Sequence, residues 1–78
     1  MTREEWLDRF RALARAVLQK YEREAASRRA YWIAGRLPSV QAARLDALEQ
    51  QLAHDGSMLD GALEELADFL YPSGGNSQ

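Results

Sequence analysis

The sequence predicts an all-α protein in which one long N-terminal helix is packed by two shorter helices. Three observations support this fold class. Apolar residues recur every three or four positions over 3–34, with no glycine or proline between them. The same spacing returns in two later segments, and glycine, proline and serine separate the three segments. This spacing is the period of an α-helix and differs from the strict alternation of a half-buried strand.

The first helix has clear start and stop signals and should cover about 3–34. Thr2 is a capping residue, and Glu5 follows at the spacing of a capping box. Gly35 can take a left-handed conformation after the last turn, and Pro38 prevents continuation of the helix. The predicted apolar stripe consists of Trp6, Phe10, Leu13, Val17, Tyr21 and Ala25.

The two shorter helices should cover about 40–54 and 58–71. Ser39 can cap the second helix, Gly56 should end it, Ser57 can cap the third, and Pro72 ends that helix. The two helices either form a hairpin beside half of the long helix or run end to end along it. The predicted architecture is therefore a helical hairpin or a three-helix bundle, with one domain over 1–71 and a disordered tail over 72–78.

Size and composition favour self-association. The chain has 78 residues, no cysteine and one histidine. A core of this size supplies only about 3–5 kcal/mol, and disulfides and thiolate metal sites are excluded. We therefore expect no metal or other cofactor, and a homodimer related by a two-fold axis. The bulkiest apolar residues of the long helix should form its interface, namely Trp6, Phe10, Leu13 and Val17.

The absence of cysteine also fits a reducing compartment, so we expect a cytoplasmic protein. No apolar run approaches 18 residues, and no membrane span is expected. Charge is unevenly distributed. Residues 1–36 hold nine bases and five acids, a net charge of +4, whereas residues 37–78 hold one base and seven acids, a net charge of −6. The halves can attract each other, or each can attract a charged partner.

The densest cluster of arginine and aromatic residues lies at the end of the long helix. Its members could form a protein-binding hot spot or could stack bases and hold phosphates. Alternatively, the arginines favour a helix C-terminus while Trp32 and Ile33 pack against the second helix. The residues predicted to bind a partner are Arg28, Arg29, Tyr31, Trp32 and Arg36.

Other polar patterns have structural explanations. Asp60, Glu64 and Asp68 form one row on a helix, and a single row rarely encloses a metal ion. His54 and Asp55 are adjacent, so their side chains do not face each other on a helix. We therefore expect no enzyme activity.

The sequence thus predicts a non-enzymatic protein that binds and regulates another protein. It could be an adaptor, a chaperone-like subunit, or a phage or plasmid inhibitor of a host protein. The arginine- and alanine-rich composition is typical of a GC-rich bacterial or phage genome. The alternative is a nucleic-acid-associated regulator that uses the arginine-rich long helix. The acidic total charge makes that alternative the less favoured one.

Overall fold

The computed structural model describes residues 1–72, which form an antiparallel hairpin of two long helices. Helix α1 spans Arg3–Gly35 and helix α2 spans Ala42–Leu70. A short turn joins them, and the rings of Trp6 and Phe69, near opposite ends of the chain, lie 5.2 Å apart. The predicted all-α class is confirmed, with no strand among the described residues. Apart from Pro72, the predicted tail lies outside the described residues.

The start of α1 is a capping box, as predicted. The Thr2 hydroxyl accepts a hydrogen bond from the Glu5 N–H at 3.1 Å, and the Glu5 carboxylate accepts one from the Thr2 N–H at 2.9 Å. These bonds satisfy two donors that a helix start would otherwise leave unpaired. Hydrogen bonds from the Thr2 backbone, and then from its side chain, lower the pKa of Glu5.

The end of α1 differs from the prediction. Gly35 is the last helical residue, and no described residue has a positive φ. The helix instead closes in a tightened turn, in which the N–H groups of Arg36 and Leu37 donate to Ile33 and Ala34 carbonyls at 3.1 Å. These bonds satisfy the Ile33 and Ala34 carbonyls without a left-handed glycine.

The predicted second and third helices are a single helix. Helix α2 runs without a break through Gly56 and Ser57, so neither residue ends or caps a helix. It begins after Gln41 rather than after Ser39, and Gln41 makes no side-chain cap. A helical glycine costs only about 1 kcal/mol relative to alanine. Packing of α2 along α1 outweighs that cost.

The packing follows a heptad spacing on both helices. Alternating steps of three and four residues keep one narrow stripe of each helix facing its neighbour, as in a coiled coil. Every position in these two stripes is buried or half-buried, and we call the pair of stripes the seam. On α1 the seam holds Phe10, Leu13, Val17, Lys20, Glu24, Ser27, Tyr31 and Ala34, and on α2 it holds Leu45, Leu48, Leu52, Asp55, Leu59, Ala62, Leu66 and Phe69.

The seam is a thin core. Among the described residues the buried apolar side chains are Leu13, Ala34 and Ala62. The radius of gyration is 17.5 Å, whereas a compact domain of this length has one of roughly 11–12 Å. The accessible surface is 6259 Å², and a compact monomer of this mass exposes about 4,800 Å². The hairpin alone therefore leaves much apolar surface in contact with water.

Within residues 1–72, neither helix combines the length and the apolar character needed to cross a bilayer.

Candidate protein-interaction site

The turn end of the hairpin exposes large apolar side chains. Trp32 is 60% exposed, and Ile33 and Leu37 are similarly accessible. All three lie at or just after the last turns of α1, on the side away from the seam or in the connecting turn. The alternative in which Trp32 and Ile33 pack against the second helix does not match this exposure. We call Arg28, Arg29, Trp32, Ile33, Arg36 and Leu37 the turn-end cluster.

Three arginines contact or border the Trp32 ring. The guanidinium carbon of Arg36 lies 3.7 Å from the centre of the Trp32 ring, a cation–π contact. Arg28 and Arg29 line a shallow groove of about 300 Å³ together with Trp32. The indole is therefore exposed and also fixed by a neighbour one helical turn away.

Arg28 is anchored by an ion pair. Its guanidinium donates to the carboxylate of Glu24, four residues earlier on the same helix. Glu24 occupies a seam position and is buried, so Arg28 neutralises a charge that would be costly alone. No described carboxylate forms an ion pair with Arg29 or Arg36. The turn-end cluster therefore presents positive charge beside its apolar surface.

Tyr31 differs from the four other residues predicted to bind a partner. It lies at a seam position and is half-buried, whereas Arg28, Arg29, Trp32 and Arg36 are exposed. The structure therefore places Tyr31 between the helices, one residue before the exposed tryptophan.

A polar network crosses the seam near its middle. The carboxylate of Asp55 is 6% exposed and accepts a hydrogen bond from the hydroxyl of Ser27 on α1. The side-chain amide of Gln51 donates to both of its oxygens at 3.1 and 3.2 Å. These bonds, chiefly the one from Ser27, lower the pKa of Asp55. Sequence reasoning missed this network, although Asp55 lies three residues after Leu52 and four before Leu59, which is the seam spacing.

The residues predicted for self-association lie mainly against α2 of the same chain. Leu13 is buried, Phe10 and Val17 are half-buried, and Trp6 stacks on Phe10 with ring centres 5.6 Å apart. Their contacts with α2 show how the hairpin closes. They do not test whether two chains associate, so that role stays a prediction.

Within residues 1–72, no group of three or more histidine, cysteine, aspartate or glutamate side chains could hold a metal ion.

Comparison of the chain with protein-family models, with curated proteins and with solved structures gives no match.

Proposed function

We propose that this protein is a non-enzymatic helical hairpin that binds and regulates another protein through its turn-end cluster. The observation that carries the proposal is the exposed Trp32 ring held by Arg36. Tryptophan and arginine are the residues that most often dominate binding energy at protein interfaces. Here they occur together on an exposed surface rather than in a core.

The cluster is arranged to bind at low entropic cost. An immobilised side chain loses about 0.5–1.5 kcal/mol of rotamer freedom on binding. The Arg36 guanidinium over Trp32, and the ion pair of Arg28 with Glu24, already restrict these side chains in the free protein. Less ordering therefore remains when a partner is bound.

The side chains of the turn-end cluster indicate which chemical groups the partner's surface must contain. An apolar groove on the partner is needed to bury the exposed side chains of Trp32, Ile33 and Leu37. Arg29 and Arg36 call for carboxylates at the rim of that groove, because no described acid pairs with them. The mode of binding is a helix end laid into a groove of the partner. An adaptor, a chaperone-like subunit and a small inhibitor of a host protein would each use such a surface.

The test compares three tagged full-length proteins. Wild type, Trp32→Ala and Tyr71→Ala are used to enrich partners from the native host, and the enriched protein is then purified and titrated. Tyr71 is an exposed aromatic at the other end of the hairpin and is the matched control. Circular dichroism confirms that the variants stay helical.

Trp32→Ala should weaken binding by at least about 30-fold, the effect of losing about 2 kcal/mol at a hot spot. Tyr71→Ala should bind like wild type. Equal binding by all three proteins would contradict the proposal. A duplex or single strand bound with steep salt dependence, in place of a protein, would support the nucleic-acid alternative instead.

A further inference from the structure

The seam leaves a second apolar stripe uncovered on each helix. On α1 this stripe contains Leu18 and Tyr21, which are 62% and 57% exposed, and on α2 it contains Leu63 and Leu70. Alanines and the half-buried Leu7 fill most of the intervals, and Arg11 and Asp60 occupy the remaining register positions away from the turn. We call the combined surface the lateral face, and it consists of Leu7, Ala14, Leu18, Tyr21, Ala25, Leu63, Ala67 and Leu70.

The heptad register puts the two stripes on the same side of the hairpin. Ala14 directly follows the seam residue Leu13, and Leu63 directly follows the seam residue Ala62. When two antiparallel helices face each other, residues one step beyond equivalent seam positions lie on the same side of the pair. Leu70 directly follows the seam residue Phe69, and Leu7 lies one heptad before Ala14, so both belong to the same side. The stripes therefore form one continuous surface rather than two separate ones.

The opposite side of the hairpin has a different character. The register places exposed polar residues there, including Arg9, Arg23, His54 and Glu65. Within the described residues and away from the turn, Met58 is the one large apolar side chain on that side. Away from the turn, the lateral face is therefore the more apolar of the two faces.

We infer that a second copy of this chain covers the lateral face and completes an antiparallel four-helix bundle. The chain exposes 6259 Å², about 1,500 Å² more than a compact monomer, and a standard interface needs about 800 Å² from each partner. Apolar patches of this kind on a soluble protein usually mark an interaction surface.

Charge selects the arrangement of the two copies. Helix α1 has eight bases and five acids, a net charge of +3, and α2 has one base and seven acids, a net charge of −6. A two-fold axis parallel to the helices places α1 of each copy against α2 of the other, so opposite charges meet. A two-fold axis across the helices would place like helices, and like charges, together. It would also pair the terminal end of one copy, where the lateral side holds Leu7 and Leu70, with the turn end of the other, where the equivalent register positions hold Arg28 and Glu49.

The first arrangement brings Arg15 of one chain beside Glu64 of the other. Arg15 borders the lateral face on α1, and Glu64 borders it on α2. Within one chain the two residues lie on the outer margins of the hairpin, pointing away from the seam, so they do not pair there. Between two chains they lie at similar heights along the bundle. Their attraction therefore reports on the dimer and not on the hairpin.

The first experiment measures mass in solution by light scattering over a dilution series of the full chain. Wild type should have twice the chain mass. Leu18→Glu combined with Leu63→Glu should reduce the mass to that of a single chain. The matched control is Met58→Glu on the polar face, because Met58 and Leu63 are equally accessible, at 43% and 44%. This control should stay dimeric.

The second experiment distinguishes a lost interface from a lost fold. Arg15→Glu and Glu64→Arg should each weaken the dimer at low salt, because each places like charges together. The double variant should restore wild-type dissociation, which a merely unfolded protein would not do. The dissociation constant of all four proteins is measured by sedimentation equilibrium.

Any of four results would overturn the inference. The first is a wild-type chain that is monomeric at every concentration. The second is a Leu18→Glu, Leu63→Glu variant that keeps the dimer mass, and the third is a Met58→Glu control that loses it. The fourth is a charge-reversal pair without rescue, which would rule out the arrangement of α1 against the partner's α2. Binding through the turn-end cluster is measured separately, so either proposal can fail without the other.

Discussion

The terminal half and the turn half of the hairpin share one seam but fill it with different chemistry. In the terminal half, residues 6–18 and 59–70, the seam is apolar and aromatic, and Trp6, just before its first residue on α1, contacts both Phe10 and Phe69. In the turn half, residues 20–36 and 42–55, charged and hydroxyl side chains occupy seam positions, and two carboxylates are buried. The first half is therefore suited to stability and assembly, and the second to a defined register and to binding.

The two buried carboxylates explain why the turn half should be the weaker one. Glu24 and Asp55 each lose hydration on burial, and their bonds with Arg28, Ser27 and Gln51 offset that loss. A polar contact at one seam position also disfavours a shifted pairing, because a shift would leave a carboxylate without its donors. The polar contacts of the turn half therefore define how the two helices are aligned, but they make this half less stable than the terminal half.

The largest expected effect comes from truncating the apolar seam. Leu13→Ala should lower the free energy of unfolding by about 2–4 kcal/mol, since Leu13 is only 6% exposed and its loss leaves a cavity. Leu37→Ala, in the exposed turn, is the matched control and should change it by less than about 0.5 kcal/mol. Chemical denaturation followed by circular dichroism measures both. Equal losses would mean that the terminal half does not hold the hairpin together.

A smaller effect is expected from the polar network. Ser27→Ala removes the main donor to Asp55 and should raise the pKa of that carboxyl toward its ordinary value. Because the folded-state pKa is lowered, the network stabilises the protein above the unfolded pKa of about 4, and this contribution is lost as pH falls through the folded value. Wild type should therefore exceed Ser27→Ala in stability at pH 7, and the difference should shrink as pH falls below about 4.

Denaturation at pH 7 and pH 2 tests this prediction, with Asp60→Asn as a control that changes an exposed acid outside the seam. A Ser27→Ala deficit that is the same at pH 7 and pH 2 would show that the serine acts by packing rather than by its bond to Asp55.

The smallest expected effect is a gain. Gly56→Ala and Gly61→Ala should each raise the free energy of unfolding by about 0.5–1 kcal/mol, because both glycines are helical and a Cβ would meet no atom within 4 Å. Thermal denaturation of the two variants checks this. If Gly56→Ala were destabilising while Gly61→Ala were not, a break or hinge at Gly56 would be indicated, and α2 would not be one helix.

The sequence was sufficient for the fold class and for the start of α1, because a capping box and a helical apolar period are local signals. The continuity of α2 was not evident from it. Gly56 and Ser57 resemble a stop and a new cap, and the seam residue between Leu52 and Leu59 is Asp55, which an apolar pattern does not count. Asp55 becomes part of the packing only because the hydroxyl of Ser27, on α1 of the same chain, donates a hydrogen bond to it.

The apolar pattern of α1 was misleading for a similar reason. It continued from Val17 to Tyr21 and Ala25, whereas the seam continues through Lys20 and Glu24. Tyr21 lies instead on the lateral face. Sequence alone also placed Tyr31 and Trp32 together in one site. The heptad register separates them, because Tyr31 lies in the seam and Trp32 one step outside it.

Amide hydrogen exchange resolved by residue is the most direct test of the difference between the two halves. Exchange protection reports the free energy of local opening along the chain. We predict the strongest protection over 6–17 and 59–69 and weaker protection over 20–31 and 45–55, with Leu13→Ala removing protection everywhere. Equal protection along both helices, or stronger protection in the turn half, would contradict this prediction.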